Sequence, residues 1–563
     1  MRISLRVCRR FAGASSGDRA ALVQRRAVGY GSVFTSNEQL MQISDPSPLP
    51  PRKAVVKSPH GVVAAQSRVA AAAGAGVLAA GGNAVDAAVA AGFAAGVVEP
   101  WMNGLGGGGF MVVAKADGSP PEVVDFSMVA PAALDPADYP LAGGTAQALF
   151  AWPAVKEDRN LKGYRSIAVP GQVEGMRLAL ERFGSIGWRQ VLEPAIALAE
   201  RGLPLDWYTT LSITVAAREL AEFPATGATY LPGGLPPVPP AEGAGYLPLG
   251  NLARTLRRLA EVGARDFYEG ELAAALVRDL ERGGSRLSAA DLRDYRARIV
   301  PALNIAYRDA SVAAVPGLSG GPTLADVLGQ LTASLRDTKL AAGPSATAYA
   351  AYAAAFERAY AARLERLGEG APAPSCTTHL SVVDRHGNMV ALTQTLLSRF
   401  GSKVVLPETG ILMNNGILWF DPLPGRPNSI APGRRPLANM CPVIVRRDGV
   451  PWFALGASGG RRIMPAVAQV LSFLVDYGMT LEEAFHQPRL DVSGEGRAIL
   501  DIRLPAAVES AVAALMPVLR EPASVYPVQF ACPSAALRDP ATGLHHGMGE
   551  IASPWAGAIA EST

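Results

Sequence analysis

Two threonines occupy matching positions on either side of a predicted β-hairpin. Residues 377–383 and 389–395 are short runs rich in β-branched side chains, and a glycine-containing turn separates them. The hairpin is centred on His386, so Thr377 and Thr395 each lie nine residues from its centre. If the strands pair symmetrically, the two hydroxyls lie opposite each other and can hydrogen-bond. Threonine is also an ordinary strand residue, so the spacing alone does not assign chemistry.

A second candidate nucleophile is Ser458, within a GxSxG pattern at residues 456–460. A predicted strand precedes this pattern and a predicted helix follows it, as in a nucleophile elbow. A serine hydrolase would take Asp491 and either His545 or His546 as its triad partners. The other interpretation is that the glycine pair at the end of the pattern presents backbone N–H groups to a ligand.

A glycine-rich string at residues 103–110 contains a GxGxxG match. Dinucleotide sites place a strand before the glycines and a helix after them, so that the helix N-terminus faces the pyrophosphate. Here a predicted helix comes first and a predicted strand (110–114) follows. This reversed order favours a tight turn or close backbone packing over nucleotide binding.

The composition excludes several classes of protein. The 563 residues carry 52 Lys and Arg against 49 Asp and Glu, a balance without the strong basic excess typical of nucleic-acid binders. The four cysteines are far apart and the six histidines contain no HExxH, so no metal or other cofactor is expected. Residues 69–98 are mostly Ala and Gly and carry Asp86, which predicts two packed helices (66–80 and 84–97) rather than a membrane span.

The first 50 residues are Arg-rich and nearly free of acids. We interpret residues 1–50 as a disordered or mis-started extension, with a mitochondrial transit peptide as the alternative, and expect structure to begin near Val55. No apolar run of signal-peptide length follows the first basic residues. A cytoplasmic location is therefore expected in preference to a mitochondrial or periplasmic one.

The remaining chain is predicted to be mainly helical over residues 165–300 and to contain most of its strands after residue 376. A Pro- and Gly-rich loop is predicted at 223–248, a helix-rich piece at 323–368, strands at 442–447 and 451–455, and a helix at 463–477. Between residues 165 and 300 the pattern predicts five helices, several of them ending at Gly or Pro: Glu174–Phe183, Trp188–Arg201, Asn251–Val262, Glu269–Arg282 and Ala289–Arg298.

The hairpin sequence, CTTHLSVV from Cys376, closely resembles the signature of γ-glutamyltransferases, which are N-terminal-nucleophile hydrolases. Further segments are similar to family landmarks and stand in the same order. They are Gly81–Ala84, Asp86–Ala88, Gly104–Phe110, Asp125–Phe126, Ala130–Pro131, Pro170–Gly171, Gly320–Gly321, Gly410–Asn415, Arg435–Pro436 and Gly459–Gly460.

The resemblance implies an α+β fold, the four-layer αββα sandwich, formed jointly by two autocleaved fragments. The chain would cut itself between Cys376 and Thr377, giving a heterodimer of 51–376 and 377–563 that could assemble into a higher homo-oligomer. The new α-amine, with a pKa of about 7.7–8.0, would serve Thr377 as its base. Thr395 would hydrogen-bond the nucleophile. The backbone N–H groups of Gly459 and Gly460 would form the oxyanion hole.

This chain departs from the family where the glutamyl group is recognised. The usual Arg, Asn, Gln, Asp and Ser-Ser positions hold Ser127, Leu397, Gly416, Trp419 and Ala438–Asn439. Losing the charged partners removes the strongest head-group contacts. The short 420–435 connection resembles lidless members and the cephalosporin (glutaryl) acylases.

We therefore expect a threonine amidohydrolase or acyltransferase that cleaves γ-glutamyl or related acyl amides, with water or an amine as acceptor, and for which glutathione is a poor substrate. Asn439, Trp419 and Arg399 are the candidate substrate-binding residues, and Lys403 or Arg461 could also replace the lost arginine. A serine hydrolase using Ser458 and a non-catalytic member of the family are the alternatives.

Overall fold

Two large antiparallel sheets organise the computed structural model, which describes residues 52–146, 150–335, 343–367, 371–372 and 376–562. The predicted extension over 1–50 lies outside the described residues. The strands of the two sheets are β1 (Val56–Ser58), β2 (Val62–Ala65), β3 (Gly108–Ala114), β4 (Glu122–Phe126), β5 (Arg298–Pro301), β6 (Leu303–Tyr307), β7 (Ala310–Ala314), β8 (Cys376–Val383), β9 (Met389–Leu397), β10 (Val443–Arg447), β11 (Val450–Ser458), β12 (Cys532–Arg538), β13 (His545–Gly549) and β14 (Gly557–Ala560).

Each sheet has seven strands among the described residues. Sheet I has the order β5-β4-β3-β9-β8-β2-β14, and sheet II has the order β1-β13-β12-β11-β10-β7-β6. The chain before Thr377 and the chain after it both supply strands to each sheet. The two parts are therefore joined by backbone ladders, and neither part contains a complete sheet.

The segments of the chain that connect these strands contain the helices. They are α1 (Arg68–Ala79), α2 (Ala84–Val98), α3 (Gln172–Phe183), α4 (Trp188–Arg201), α5 (Trp207–Thr214), α6 (Ala217–Leu220), α7 (Pro224–Tyr230), α8 (Leu252–Val262), α9 (Asp266–Glu269), α10 (Glu271–Arg282), α11 (Ala289–Asp294), α12 (Gly321–Ser334), α13 (Ala346–Leu367), α14 (Ile463–Val475), α15 (Leu481–His486) and α16 (Ala506–Ala513). Short strand pairs or triplets lie outside the two sheets: Leu141–Thr145 with Pro153–Val155, Phe150–Ala151 with Ala371–Pro372, Leu203–Leu205 with Gly245–Leu247, and Leu490–Asp491 with Ala498–Asp501 and Val518–Glu521.

The predicted helices are largely confirmed, with two corrections. The segment 223–248 is not a continuous loop, because it contains α7 and the strand Gly245–Leu247. Proline fits α7 at its first position, where no intrahelical N–H is needed. The helix expected over Ala289–Arg298 ends at Asp294, and β5 begins at Arg298, where pairing with β4 replaces helical hydrogen bonds.

The buried apolar side chains form three large clusters, because successive strand residues lie on opposite faces of each sheet. Val382 of sheet I packs with α1–α4, and Phe453 of sheet II packs with α12–α14. Ala391 of sheet I and Ala454 of sheet II belong to a third cluster that both sheets share. Because successive strand residues point to opposite faces, one side of each sheet meets helices and the other side contributes to the shared cluster. The molecule is of the α+β class.

Helix α2 explains why an Ala- and Gly-rich segment is stable here. Asn83 accepts hydrogen bonds from the backbone of Val85 and Asp86, and Asp86 caps the Asn83 N–H in return. The buried Asp86 carboxylate also accepts from the Ser185 backbone and hydroxyl, at 3.1 and 2.6 Å. Small side chains then allow close packing against α1 and sheet I. Across the residues that the structure describes, every helix is too short or too polar to cross a bilayer.

Polar groups bridge the two sheets beside the apolar cluster that they share. The Ser534 hydroxyl of sheet II donates to the His379 carbonyl, and the Ser381 hydroxyl of sheet I donates to the Ser534 carbonyl, each at 3.2 Å. The His379 ring lies directly against Gly456, where a Cβ would meet its Cε1 at 2.3 Å. The sheets can approach this closely only because residue 456 has no side chain.

We expect Gly456→Ala to lower the free energy of unfolding by about 1–3 kcal/mol, because the added methyl must displace a buried ring. Gly329→Ala is the matched control, since a Cβ there meets nothing within 4 Å. That control should leave stability unchanged or raise it slightly. Denaturant unfolding of both variants checks this, and equal stabilities would contradict the packing described.

Candidate active site

The hairpin β8–β9 has the register that the sequence predicts. Pairing is symmetrical about His386 along the strands as far as Thr378. The register then shifts, so that Cys376 pairs with Leu397 and the single residue Thr377 lies opposite two residues of β9, Thr395 and Leu396, which form the bulge. A bulge of this kind re-aims one side chain and is common beside active sites. The predicted symmetry holds up to the residue of interest and breaks there.

Thr377 and Thr395 are brought together on the face of sheet I that looks towards sheet II. Their hydroxyl oxygens are 3.4 Å apart, and both residues are buried. This separation is longer than an ordinary hydroxyl hydrogen bond, as is common for catalytic pairs before substrate binds. The Leu397 N–H donates to the Thr395 hydroxyl at 2.8 Å. The Thr377 hydroxyl donates towards the same Thr395 oxygen, so Thr395 accepts from both the backbone and the candidate nucleophile.

The backbone bends sharply after Thr395. Leu397 has φ +87°, a left-handed conformation that is strained for a residue with a side chain. Such a residue costs about 1–3 kcal/mol and persists only where its surroundings hold it. Leu397 is 1% exposed and lies opposite Cys376. The strained residue therefore faces the Cys376–Thr377 bond across the hairpin.

The glycine-rich string packs against β9, as the order of elements predicts. Gly109 pairs with Gln394, and a Cβ on Gly109 would meet the Thr393 carbonyl oxygen at 2.2 Å. A Cβ on Gly107 would meet the Thr395 carbonyl oxygen at 2.5 Å. The absence of side chains at these positions lets β3 and the preceding turn hold Thr395 in place from behind.

His379 is structural. Its Nδ1 lies 2.8 Å from the Thr393 hydroxyl and its Nε2 lies 2.9 Å from the Ser381 hydroxyl. Complete burial lowers the pKa of His379 to about 3, so the ring is neutral near pH 7. Both ring nitrogens are occupied by neighbours other than Thr377, and the imidazole does not act as its base.

A cavity of about 560 Å³ opens beside this hairpin. Its lining includes Gln66, Glu99, Ser458, Gly459 and Cys532. Ser398, Arg399, Lys403 and Asn415 also line it, as do the aromatic residues Tyr208, Tyr526, Phe530 and Trp555. Thr377 itself is not among the lining residues. Its neighbour Thr378 reaches the lining through a hydroxyl 3.4 Å from the Glu99 carboxylate.

Glu99 is a functional candidate that the sequence reading missed. It ends α2, is buried, and lines the cavity next to Thr378. Burial raises the pKa of Glu99 to about 8, against the opposing effect of the Thr378 hydrogen bond. The carboxyl is therefore mostly protonated at pH 7 and can donate a hydrogen bond. The only signal in the sequence was an acid at the end of an otherwise apolar helix.

The serine-hydrolase geometry is not assembled around Ser458. Its hydroxyl accepts a hydrogen bond from the Gln66 amide. Asp491 instead contacts the Ser493 hydroxyl at 2.8 Å, and His545 contacts the His60 carbonyl at 2.7 Å. His546 lies next to His545 on β13 and makes no contact with Ser458 among the described residues. These distances give the proposed triad no support.

Gly459 and Gly460 form the turn between β11 and α14. Their φ values of +137° and +63° are left-handed, which suits glycine. A Cβ on Gly459 would lie 2.9 Å from the Ala531 Cα, so the backbone can approach Ala531 this closely only because residue 459 is glycine. Both residues line the cavity. The turn can therefore present backbone N–H groups to a bound carbonyl oxygen.

The basic residues named from the sequence have different surroundings. Lys403 lines the cavity but is engaged, donating to the Arg399 carbonyl at 2.6 Å and lying 3.5 Å from Glu219. Arg461 is buried outside the lining, and its carbonyl accepts from Tyr360. Arg399 lines the cavity, and its buried Nη1 has no hydrogen-bond partner among the described residues. Of these three basic residues, Arg399 is the one that both lines the cavity and has a side-chain N–H donor without a partner among the described residues.

Asn439 and Trp419 lie away from the cavity lining. The Asn439 Oδ1 accepts from the buried Arg363 at 3.1 Å, while its Nδ2 is buried without a partner in the described part of the chain. Trp419 packs in the apolar cluster between the sheets, and its carbonyl accepts from Asn428 at 2.6 Å. Ser127, at the position where the resemblance predicts an arginine, donates to Asp125 and accepts from Arg435.

Glu99 makes stability depend on pH in a definite direction. Its pKa is raised to about 8 in the folded chain but stays near the usual glutamate value of about 4.3 when unfolded. The folded state favours the protonated carboxyl. The contribution of Glu99 to the free energy of unfolding is therefore complete below about pH 4 and is lost as pH rises towards 8.

We expect the Glu99→Gln variant to melt at an increasingly higher temperature than the parent as the pH is raised from about 5 to about 8. Calorimetry of both proteins measures the difference. Glu242→Gln, at an exposed residue, is the matched control and should follow the parent. If the melting temperatures of Glu99→Gln and the parent change in parallel with pH, the Glu99 carboxyl is not protonated in the folded protein near pH 7, which would contradict this account.

Comparison with known proteins confirms the family. A family profile described as Gamma-glutamyltranspeptidase matches residues 70–374 and 370–514. The Acylase ACY 1 proenzyme of Pseudomonas sp. (strain SE83) is 34% identical over 492 residues, covering 81% of this chain and 86% of that protein. The Glutathione hydrolase proenzyme of Escherichia coli (strain K12) is 31% identical, covering 77% and 81%.

Among solved structures, a cephalosporin acylase from Bacillus halodurans superposes with a TM-score of 0.78 over 92% of this chain and all of that one. At 24% identity this likeness shows the fold alone. The profile match and the two relatives show more. The chain belongs to the γ-glutamyltranspeptidase family and is an N-terminal-nucleophile enzyme, an amidase or acyltransferase.

Proposed function

We propose that the chain is a precursor that cuts itself between Cys376 and Thr377. The Thr377 hydroxyl adds to the Cys376 carbonyl carbon, and the peptide bond breaks as the acyl group moves from nitrogen to oxygen. Water then hydrolyses the ester, leaving a carboxylate on Cys376 and a free α-amine on Thr377. The names of two relatives, Acylase ACY 1 proenzyme and Glutathione hydrolase proenzyme, describe precursors and support this proposal.

The mature site then uses one residue as both base and nucleophile. The freed α-amine takes the Thr377 hydroxyl proton, and the hydroxyl oxygen attacks the substrate amide. Thr395, 3.4 Å away, orients that oxygen. The N–H groups of Gly459 and Gly460 stabilise the oxyanion, each contributing about 3–4 kcal/mol in the transition state. Water or an amine resolves the acyl-enzyme.

The observation that carries the proposal is the Thr377–Thr395 pair at the hairpin bulge. The bulge isolates Thr377 from the ladder, and the strained Leu397 faces the bond to be cut. The stacked sheets with helices on their outer sides support the αββα sandwich of these hydrolases. Both fragments, 51–376 and 377–563, supply strands to each sheet, so we expect them to stay together as a heterodimer after cleavage.

The substrate is an acyl amide whose acyl group need not be γ-glutamyl. Ser127 is committed to Asp125 and Arg435, and Trp419 makes its surroundings apolar. Arg399 is the residue we assign to a substrate carboxylate, because its buried Nη1 donor is unused. The Asn439 Nδ2 has no partner among the described residues, but Asn439 lies outside the cavity lining, so we assign it no contact with the substrate there. Lacking the usual head-group contacts, the site should use glutathione poorly.

Processing is tested with variants of the full chain. The parent should give two bands on a denaturing gel, with mass spectrometry placing Thr377 at the start of a 187-residue fragment. Thr377→Ala should remain one chain and lose activity by at least about a thousandfold. Thr395→Ala should process slowly and lose about tenfold to a hundredfold in kcat.

Ser458→Ala distinguishes the proposal from the serine-hydrolase alternative and should still yield two fragments. A parent that stays uncleaved and loses activity only in Ser458→Ala would contradict the assignment of Thr377.

Substrate choice is tested with amides that differ in a single carboxylate. The parent should cleave a glutaryl amide about tenfold to a hundredfold faster, in kcat/KM, than the matching butyryl amide, because Arg399 pairs with the carboxylate. Arg399→Met should remove that preference. Arg201→Met, which changes an exposed arginine over Tyr246 outside the cavity lining, is the control. Rapid turnover of glutathione at low micromolar concentration would contradict this view of the site.

A further inference from the structure

The cavity is larger than a short acyl chain requires. Its volume of about 560 Å³ falls in the range of sites that enclose whole drug-sized ligands. The lining includes polar groups such as Glu99, Ser458 and Arg399. Aromatic surface comes from Tyr208, Tyr526, Phe530 and Trp555. None of these four aromatic residues has a role in the chemistry proposed above.

Tyr208 and Trp555 form a stacked pair within this lining. Their ring centroids are 4.1 Å apart and their planes are 25° from parallel. Trp101 packs edge-on against Tyr208 at 5.6 Å, and Trp207 packs edge-on against Trp555 at 4.7 Å. The edge contacts fix the orientation of the pair, while Tyr208 and Trp555 themselves remain only half-buried.

One carboxylate holds both members of the stack in place. Asp206 caps α5 by accepting from the Thr209 N–H at 2.7 Å, which sets the start of the helix that carries Tyr208. Its other oxygen accepts from the Trp555 indole N–H. The Arg68 N–H also donates to the Trp555 carbonyl, at 2.9 Å. The aromatic surface is thus built before any ligand arrives, which lowers the entropic cost of binding.

The segment between the short strand Val518–Glu521 and β12 supplies aromatic surface of its own. Tyr526 and Phe530 line the cavity from this segment together with Val525 and Val528. Tyr526 is 52% exposed, so much of its ring surface is open to a ligand in the cavity. A flat apolar group in the cavity would cover aromatic surface on this segment and on the stacked pair.

We infer that the preferred substrate carries a planar, apolar ring on one of the two substituents of its scissile amide, and that the ring binds against the Tyr208–Trp555 stack. This inference rests on the proposed function, since it names the class of amide that the site accepts. Offset or edge contacts with such a pair add binding that a puckered ring of equal size does not obtain. Tyr208 and Trp555 are therefore specificity-determining residues.

Two matched substrate series test the inference with the full chain. In the first, glutaryl benzylamide is compared with glutaryl cyclohexylmethylamide, so that the ring is on the amine. In the second, the phenylacetyl and cyclohexylacetyl methylamides place the ring on the acyl group. The parent should prefer the flat ring by about tenfold in kcat/KM in one series, and that series identifies the end of the amide that meets the stack.

Trp555→Ala and Tyr208→Ala should abolish the preference, and Trp555→Phe should keep most of it. Tyr246→Ala, an exposed ring outside the lining, is the control. Cleavage into two fragments and turnover of glutaryl methylamide report on folding and on the proposed function separately. Intact processing with no ring preference in either series would overturn the inference and leave the proposed function standing. A preference that survives Trp555→Ala would overturn it as well.

Discussion

The structure depends on a row of buried polar groups held between two β-sheets. Thr377, His379 and Ser381 alternate along β8 and point towards sheet II, where ordinary sheet packing would place apolar side chains. Burying such groups is costly unless each finds a partner. The partners come from β9, through Thr393 and Thr395, and from the two sheets' own backbone. Meeting this requirement fixes the register of the hairpin and hence the position of the nucleophile.

The functional groups lie where regular elements end. Thr377 lies opposite the bulge at the start of β8, Glu99 follows α2, Gly459 follows β11, and Arg399 lies just beyond β9. Close packing behind these ends, as at Gly107 against the Thr395 carbonyl, makes each position rigid. The strands therefore act as a scaffold, and the chemistry is assembled from residues that have left the ladder but cannot move far.

Local pattern was sufficient for part of this arrangement. Nine-residue symmetry about His386 gave the hairpin register, and Trp188–Arg201 is a helix over the predicted span because its amphipathic pattern ends at Gly202. The bulge and the left-handed Leu397 could not be foreseen, because they result from pairing between Cys376 and a strand end. The aromatic lining of the cavity could not be predicted either, since Tyr208 and Trp555 are far apart in the chain and come into contact only in the folded structure. The catalytic roles expected of Thr377 and Thr395 came from the family resemblance, because their spacing alone did not assign them.

The central claim is that one hydroxyl, on Thr377, forms the covalent intermediate. The most direct measurement is peptide mapping by mass spectrometry after mixing the processed protein with a slowly turned-over glutaryl ester and quenching in acid. The account predicts a single added glutaryl group on the N-terminal peptide of the 377–563 fragment, linked as an ester to the Thr377 side chain. An adduct on Ser458, or full turnover with no acyl group on Thr377 at any quench time, would contradict it.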